Sequence, residues 1–187
     1  MKESNKESTV LLVDDEPDLL TVYELWVSEH YTVRTASDGQ TALDAVDESV
    51  DIVFLDRRMP GMSGDEVLRE IRARGYDPQV AMLTAVDPAA DIVDMPFDDY
   101  LTKPVSQAEL GSVIEVLLQR AEYDNYSQEL FALSSKRAAL EASPDVDHRS
   151  NAEYQKLTEQ IEGLREQVDE TLDDLMEHDD KTAFQEI

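Results

Sequence analysis

Short apolar runs that alternate with segments of helical length are the feature that most constrains the fold of this chain. Three of the runs are almost wholly apolar, which is typical of strands covered on both faces. The runs are Val10–Val13, Thr32–Ala36, Ile52–Leu55, Val80–Leu83 and Asp99–Leu101. The segments between them that are predicted to be helical are Asp18–His30, Gln40–Glu48, Gly64–Arg74 and Pro88–Met95. This alternation predicts a doubly wound α/β domain, with a five-stranded parallel sheet, right-handed crossovers and helices on both faces.

A second region with a different pattern follows the alternating one. Gln107–Arg120 is predicted to form the helix that closes a first domain of residues 8–120. Beyond it the chain holds one proline and one glycine, and apolar residues recur every three or four positions. Pro144 interrupts this pattern, so we expect two helices, about residues 121–141 and 151–178, the second with a heptad repeat. Their narrow apolar stripes predict an all-α helical hairpin or coiled-coil tail, packed on itself, on the first domain or on another subunit.

The composition restricts the possible partners. Asp and Glu number 43 against 16 Lys and Arg, and the net charge of −27 is spread along the whole chain. Such a surface indicates adaptation to concentrated salt, where repulsion between carboxylates is screened; the alternative is an ordinary acidic protein. The absence of cysteine excludes disulfides and thiolate chemistry. The polar first residues and the lack of a membrane-length apolar run predict a cytoplasmic protein with no membrane partner.

Polar side chains follow the apolar runs at the points where the predicted strands end. Asp14 and Asp15 follow the first run, Asp56 follows the third, Thr84 the fourth and Lys103 the last. The carboxyl ends of parallel strands meet at the same edge of a sheet, where ligands bind in the crevice beyond them. We therefore expect these five side chains to line one crevice.

The acids of this crevice require a compensating cation, because two carboxylates about 4 Å apart repel by about 4 kcal/mol at an effective dielectric near 20. A hard divalent ion meets that need, and Mg²⁺ is usual where phosphates are handled. With an ammonium and a hydroxyl beside it, Asp56 is predicted to be a nucleophile that takes up a phosphoryl group. The alternatives are structural: Arg57 or Arg58 neutralises Asp56 in a turn, and the acids before Pro17 favour a helix N-terminus.

Four stretches of the sequence, in this order and spacing, resemble the receiver domain of two-component response regulators. They are VLLVDDEP (10–17), VFLDRRMPGMSG (53–64), MLTA (82–85) and YLTKP (100–104). The resemblance covers about residues 8–120 and implies a flavodoxin-like strand order of 2-1-3-4-5. It further implies that a sensor histidine kinase phosphorylates an aspartate, with Mg²⁺ as the cofactor. The family is not enzymatic beyond catalysing its own phosphorylation and dephosphorylation.

The resemblance also assigns the metal ligands. It implies that Asp56, the phosphoacceptor, binds Mg²⁺ directly together with Asp15. Asp14 is expected to bind the ion largely through water, and the backbone carbonyl of Arg58 completes the ligands that the protein supplies.

The residues that respond to phosphorylation are assigned in the same way. Lys103 is expected to pair with the phosphoryl group, and its peptide bond to Pro104 is expected to be cis. Thr84 is expected to move towards a phosphoryl oxygen, and Tyr100 to rotate inward behind it. The resemblance thus implies that Thr84 and Tyr100 are the switch residues through which the domain passes on a signal.

Two features depart from the common receiver pattern. Arg57 follows the phosphoacceptor, where many receivers have an apolar residue, and is expected either to pair with a surface acid or to contact the output helices. Arg58 and Val86 occupy positions that tune the phosphoryl lifetime, which the sequence does not set. The variant LDRRMPGMSGDEV, followed by an acidic helical region over 121–187, also resembles haloarchaeal response regulators with a HalX-type C-terminal domain.

The C-terminal region, 121–187, is expected to act through proteins. It holds 18 acids and 6 Lys and Arg, whereas DNA affinity comes mainly from neutralised phosphates. Homodimerisation, through these helices or the receiver face, and docking on another protein are therefore expected ahead of DNA binding. The alternatives are a transcriptional regulator that binds DNA through the C-terminal helices and an aspartyl-phosphate phosphatase. The phosphatase would need a second acid where Arg58 stands.

Overall fold

The computed structural model describes residues 8–86, 92–142 and 152–183, the last of these ranges with side chains up to residue 176. The chain divides into two compact units, Met1–Leu118 and Gln119–Ile187. Among the described helices, none combines the length and the apolar character that a membrane crossing requires.

The first unit contains a parallel sheet of five strands in the order β2-β1-β3-β4-β5, as predicted. The strands are β1 Thr9–Val13, β2 Thr32–Ala36, β3 Ile52–Leu55, β4 Gln79–Thr84 and β5 Asp99–Thr102. In the register of the sheet, Val13 pairs with Ala36 on one side and with Leu55 on the other. The carboxyl ends of the first three strands in sequence, β1, β2 and β3, are therefore level with one another.

Helices cover both faces of this sheet because the strands are apolar on both sides. The helices of the chain are α1 Pro17–Val27, α2 Gly39–Ala45, α3 Gly64–Ala73, α4 Gln107–Glu141 and α5 Ala152–Ala183, of which α5 belongs to the second unit. In β3, Val53 and Leu55 belong to one buried cluster, and Ile52 and Phe54 belong to a second cluster on the opposite face. Such two-sided burial is what the continuous apolar runs predict.

Local capping sets where the helices begin. Pro17 stands in the first turn of α1, where its missing amide hydrogen costs nothing. The Asp38 side chain accepts a hydrogen bond from the amide of Thr41 at the start of α2. Ser63 and Glu66 form a reciprocal capping box at the start of α3.

The predicted helices Gln107–Arg120 and 121–141 form one continuous helix, α4, and three of the helices predicted between the strands also differ from the observed ones. The first ends at Val27 rather than His30, because the chain turns there before entering β2. The second ends at Ala45 rather than Glu48, because Val46 takes an extended conformation and is buried. Of the predicted helix Pro88–Met95, residues 88–91 lie outside the described residues, and the remainder forms a short turn closed by a 3.0 Å hydrogen bond from the Met95 amide to the Ile92 carbonyl.

Within the second unit, the C-terminal part of α4 and the helix α5 pack as an antiparallel pair. The Tyr154 hydroxyl, near the start of α5, donates a 2.6 Å hydrogen bond to Oε1 of Glu141 at the end of α4. Glu129, one third of the way back along α4, lines a cavity together with Leu164. The start of α5 thus contacts the end of α4, and the middle of α5 lies beside an earlier part of α4. The predicted helical hairpin is therefore confirmed.

The burial pattern of the pair follows the predicted three- and four-residue spacing. Ile161, Leu164 and Thr171 of α5 are buried. Residues at the same spacing in α4 are half-buried: Tyr126, Leu130, Leu133, Arg137 and Leu140. The hairpin is therefore held by two facing stripes, as expected for coiled-coil packing.

Candidate functional site

Backbone hydrogen bonds continue the sheet one step beyond the strands and fix the residues at its carboxyl edge. The Asp14 amide donates to the Ala36 carbonyl at 3.1 Å, and the Asp56 amide donates to the Val13 carbonyl at 2.9 Å. The Lys103 amide donates to the Thr84 carbonyl at 2.8 Å. The residues predicted from the strand ends are thus held by the sheet itself rather than by free loops.

The structure brings three acids and a lysine together at this edge. Oxygen atoms of Asp14, Asp15 and Asp56 all lie within 4.8 Å of one another. Asp14 and Asp56 are only 2% and 6% exposed. The Lys103 ammonium donates to Oδ2 of Asp14 at 2.5 Å and to Oδ2 of Asp56 at 2.9 Å. Four of the five side chains expected to line one crevice therefore lie together, and the acidic charge is partly balanced by an ion pair with each buried aspartate.

The ion pairs also affect the pKa of Lys103. Burial on its own would lower the pKa of Lys103, because it disfavours the charged form. The hydrogen bonds and negative charges of Asp14 and Asp56 outweigh that effect, so the pKa of Lys103 lies above its ordinary value. Lys103 is accordingly a fixed cation in the site at neutral pH.

The donor set fits a magnesium ion. Carboxylate oxygens are the ligands that a hard divalent cation prefers, and Mg²⁺ is bound through few carboxylates while it keeps several waters. The half-buried Asp15 and the more deeply buried Asp14 and Asp56 together offer three such oxygens. One ammonium cannot neutralise three carboxylates, so the cluster retains the negative charge that a divalent ion would offset.

The loop after Asp56 is shaped by a glycine whose role sequence reasoning missed. The Gly64 amide donates to the Arg57 carbonyl at 3.0 Å. A β-carbon on Gly64 would lie 2.2 Å from the backbone oxygen of Asp56. The first residue of α3 must therefore lack a side chain for the loop after Asp56 to close against it. The sequence carries a signal for this, since Gly64 directly follows the helix-capping Ser63.

The two arginines after Asp56 have separate positions. Arg57 pairs with Asp65, through Nε at 3.1 Å from Oδ1 and Nη2 at 3.2 Å from Oδ2. This pairing with an acid is one of the two expectations for Arg57. Arg58 has an exposed side chain, and its amide donates to Oδ1 of Asp56 at 3.2 Å. The cation that donates a hydrogen bond to the Asp56 carboxylate is Lys103.

Thr84 and Tyr100 are both bonded to the same residue, Val86. The Val86 amide donates to the Thr84 hydroxyl at 3.3 Å, and the Tyr100 hydroxyl donates to the Val86 carbonyl at 2.6 Å. Thr84 is fully buried and Tyr100 is half-buried. A change in the position of either hydroxyl therefore alters the hydrogen bonding of one peptide segment just after β4.

Tyr23 is a further residue near the acids that sequence reasoning treated only as part of the apolar face of α1. Burial is the main cause that raises the pKa of Tyr23; Lys103 opposes it, and the charges of Asp14 and Asp56 add to it. The only sequence signal is its position on the helix that begins directly after the acidic cluster. Tyr23 thus belongs to the buried surroundings of the site.

Comparison with known families accounts for both units. Residues 10–115 match the model of the response regulator receiver domain, and residues 119–184 match that of the HalX domain. Among solved structures, the signal receiver domain of a protein from Vibrio parahaemolyticus superposes with a TM-score of 0.58 at 27% identity, over 64% of this chain and 95% of that one.

Two curated relatives extend the comparison. A protein of Haloferax volcanii with the name "Putative transcriptional regulator" is 46% identical over 85% of this chain, which spans 28% of that protein. The transcriptional regulatory protein CpxR of Escherichia coli K12 is 37% identical over 64% of this chain, which spans 53% of CpxR. The chain therefore covers a part of each relative. It belongs to the response regulators and consists of a receiver domain followed by a C-terminal HalX domain.

Proposed function

We propose that Asp56 accepts a phosphoryl group from a phosphohistidine of a sensor histidine kinase, and that this charge alters the signalling state of a receiver domain over residues 8–120. A helical domain over 121–187 carries the output. The observation that supports the proposal is the set of three acids within 4.8 Å, with Lys103 bonded to two of them. If the acids served only to stabilise the N-terminus of a helix, that role would not account for Lys103 binding two buried aspartates.

The reaction is a transfer between two side chains. A carboxylate oxygen of Asp56 attacks phosphorus, a P–O bond forms, the P–N bond of the phosphohistidine breaks, and the leaving imidazole takes up a proton from solvent. Lys103 then moves from the Asp56 carboxylate to an oxygen of the new phosphoryl group, which carries a charge near −2. Its link to Asp14 keeps the ammonium at the site during this exchange.

Mg²⁺ is the proposed cofactor, held by Asp14, Asp15 and Asp56 with the backbone carbonyl of Arg58. When bound, the ion offsets the charge that develops on the phosphoryl oxygens. The contribution of the chain itself is to hold the three carboxylates together on the sheet edge and to keep Asp56 as the carboxylate that faces the donor.

The proposed switch uses Thr84 and Tyr100. The Thr84 hydroxyl turns to a phosphoryl oxygen and gives up its hydrogen bond with the Val86 amide. Because the Tyr100 hydroxyl is bonded to the carbonyl of the same Val86, the Tyr100 ring is freed as that peptide moves. A local change of charge at Asp56 thereby reaches the surface at β5, which is how the family is expected to pass on its signal.

The direct test is phosphorylation of the full chain by acetyl phosphate with Mg²⁺, followed by intact-mass spectrometry. We expect one added HPO₃ that hydroxylamine removes, as it does from an acyl phosphate. The Asp56→Asn variant should stay unmodified, whereas Asp65→Asn, which changes a nearby acid of α3, should still be modified. A wild-type chain that gains no phosphoryl group, although it is folded by circular dichroism, contradicts the proposal.

For the output we propose contact with proteins rather than with DNA, although the names of both relatives refer to transcription. The exposed side chains of α5 from residue 152 to residue 176 include eight acids and two bases. Such a helix repels the phosphate backbone that supplies most DNA affinity. Electrophoretic mobility shift at low salt tests this: we expect no shift with phosphorylated chain, and a saturable shift would favour direct DNA binding.

A further inference from the structure

Between Asn125 and Ala142, one side of α4 is exposed to solvent and carries no charge; the charged Asp124, on the same side, marks where it begins. Eight residues of this face are all exposed. They are Asn125, Gln128, Phe131, Ala132, Ser135, Ala138, Ala139 and Ala142, the last of which directly follows α4 and donates a backbone hydrogen bond to Ala138. We call them the uncharged face of α4.

The uncharged face lies opposite the stripe that packs on α5. At about 100° per residue, the eight positions fall within an arc of about 140°, and the packing stripe from Tyr126 to Leu140 is centred on the other side of the helix. The face extends over 18 residues, about 27 Å at 1.5 Å per residue. The hairpin itself therefore leaves this face without a partner.

Such a face is unusual for this chain. The net charge is −27 and 32% of all residues are charged, yet 76% of Phe131 is open to solvent with four alanines on the same face. The exposed residues of α5 follow the opposite rule, since most of them are acidic or basic. A face kept only for solubility in salt would carry carboxylates, as α5 does.

We propose that the uncharged face of α4 binds the same face of a second copy of this chain, with the two helices antiparallel about Ser135. Charge supports a second copy as the occupant: two chains of net charge −27 repel wherever their acids meet, and this face brings none together. A two-fold contact is isologous, so each face must complement itself.

The order of side chains along the face meets that condition. With Ser135 on the two-fold axis, Phe131 of each copy is level with Ala139 of the other copy. Gln128 is level with Ala142 in the same way. Each large side chain thus meets a small one, which allows the two helices to approach closely.

The size of the face predicts a weak and reversible contact. A strip about 27 Å long and about 10 Å wide offers about 270 Å² per copy, well below the roughly 800 Å² per partner of a stable complex. Added salt should strengthen it, because the Debye length falls from about 10 Å at 0.1 M to about 3 Å at 1 M, and the repulsion between the copies is screened accordingly. This inference does not depend on phosphorylation of Asp56.

The chain has no cysteine, so single-cysteine variants of the full chain give an unambiguous cross-linking test. Under a mild oxidant in high salt, Ser135→Cys should form a homodimer, and Gln128→Cys mixed with an affinity-tagged Ala142→Cys should form the mixed dimer. Gln167→Cys, at an exposed position of α5, gives the background rate of collision. If Gln128→Cys links to itself as fast as Ser135→Cys does, the two helices are parallel and the proposed geometry is wrong. If every variant links only at the background rate of Gln167→Cys, the uncharged face does not bind a second copy of the chain.

Sedimentation equilibrium supplies an independent readout. Phe131→Glu should weaken self-association about tenfold or more, because it places two like charges in one contact. Leu25→Glu changes another exposed apolar residue, 73% open on α1, and should leave the dissociation constant unchanged. Equal effects of the two substitutions, or none from Phe131→Glu, would refute the proposed contact.

Discussion

Lys103 and Asp56 form a 2.9 Å ion pair between side chains that are each 9% exposed, and the same ammonium binds Asp14. The pair joins the end of β5 to the end of β3 across the strand that separates them, β4. It therefore contributes both to the stability of the sheet edge and to the charge balance of the site. The two contributions can be separated by experiment, because an added cation can restore the charge balance but cannot restore the link between the two strands.

Lys103→Met should destabilise the receiver domain, since it leaves Asp14 and Asp56 buried without their cation. Removal of one partner from a buried pair costs about 3–5 kcal/mol. Urea unfolding followed by the fluorescence of Trp26 measures this loss. Mg²⁺ should raise the unfolding free energy of the variant by more than that of the wild type, because it replaces the missing positive charge.

Arg69→Met is the matched control for that experiment. It removes an exposed cation from α3 in the same unit and should change the unfolding free energy by no more than about 0.5 kcal/mol. If Lys103→Met lowers the unfolding free energy no more than the control does, or if Mg²⁺ does not raise that of Lys103→Met, the acids do not need a cation for stability.

Gly64→Ala should disturb the loop after Asp56, because the added methyl group would lie 2.2 Å from the Asp56 carbonyl. Overpacking of this kind costs about 1–3 kcal/mol, and here the shift falls on the backbone of Asp56 itself. We expect lower stability together with slower phosphorylation by acetyl phosphate.

Gly111→Ala provides the contrasting control, since a β-carbon there meets nothing within 4 Å and the residue lies inside α4. That variant should gain about 1 kcal/mol from the better helix propensity of alanine. Phosphorylation of Gly111→Ala should proceed at the wild-type rate. A Gly64→Ala variant that also gains stability would show that the loop has room for a side chain.

The sequence predicts the sheet and the meeting of the acids well, because both follow from rules of chain order. Continuous apolar runs such as Ile52–Leu55 demand two covered faces, and parallel strands bring Asp14, Asp56 and Lys103 to one edge. The cis bond between Lys103 and Pro104, implied by the family resemblance, is also present.

What the sequence does not predict depends on three-dimensional proximity. The close approach of Gly64 to Asp56 and the pairing of Arg57 with Asp65 require the path of the loop. Helix ends are missed where a tertiary contact overrides periodicity, as at Val46, which leaves the helical conformation in order to be buried. The shared bonding of Thr84 and Tyr100 to Val86 is likewise visible only in the folded chain.

Tyr100→Phe should separate phosphorylation from signal transfer. The substitution removes the hydroxyl that donates to the Val86 carbonyl at 2.6 Å and keeps the ring. A stability loss of about 1 kcal/mol is expected for a part-buried hydrogen bond, with acetyl phosphate still modifying Asp56. Hydrogen exchange of the amides around Val86 should respond to phosphorylation less than in the wild type. An unchanged exchange response would mean that the Tyr100 hydroxyl has no part in the switch.

Stability should fall in acid over a window set by four carboxylates whose pKa values are lowered by hydrogen bonds. The Ser49 hydroxyl, the Ser49 amide and Arg34 together lower the pKa of Asp47 from 3.8 to about 2. Hydrogen bonds to Thr41, Ser63 and Ser106 lower the pKa of their partners Asp38, Glu66 and Glu109, respectively. Each group binds its proton less tightly when folded, so its stabilising effect is complete above its unfolded pKa near 4 and is lost as the pH falls through its folded pKa.

Urea unfolding at constant ionic strength from about pH 6 to about pH 2 should therefore show the free energy of unfolding decline below about pH 4. Asp38→Ser tests the cause, because serine also caps a helix N-terminus but does not titrate in this range. The variant should keep nearly wild-type stability at neutral pH and lose less of it in acid. An acid slope equal to that of the wild type would show that the cap of α2 contributes nothing to the pH dependence, and a large loss at neutral pH would show that Asp38 acts through something other than its bond to Thr41.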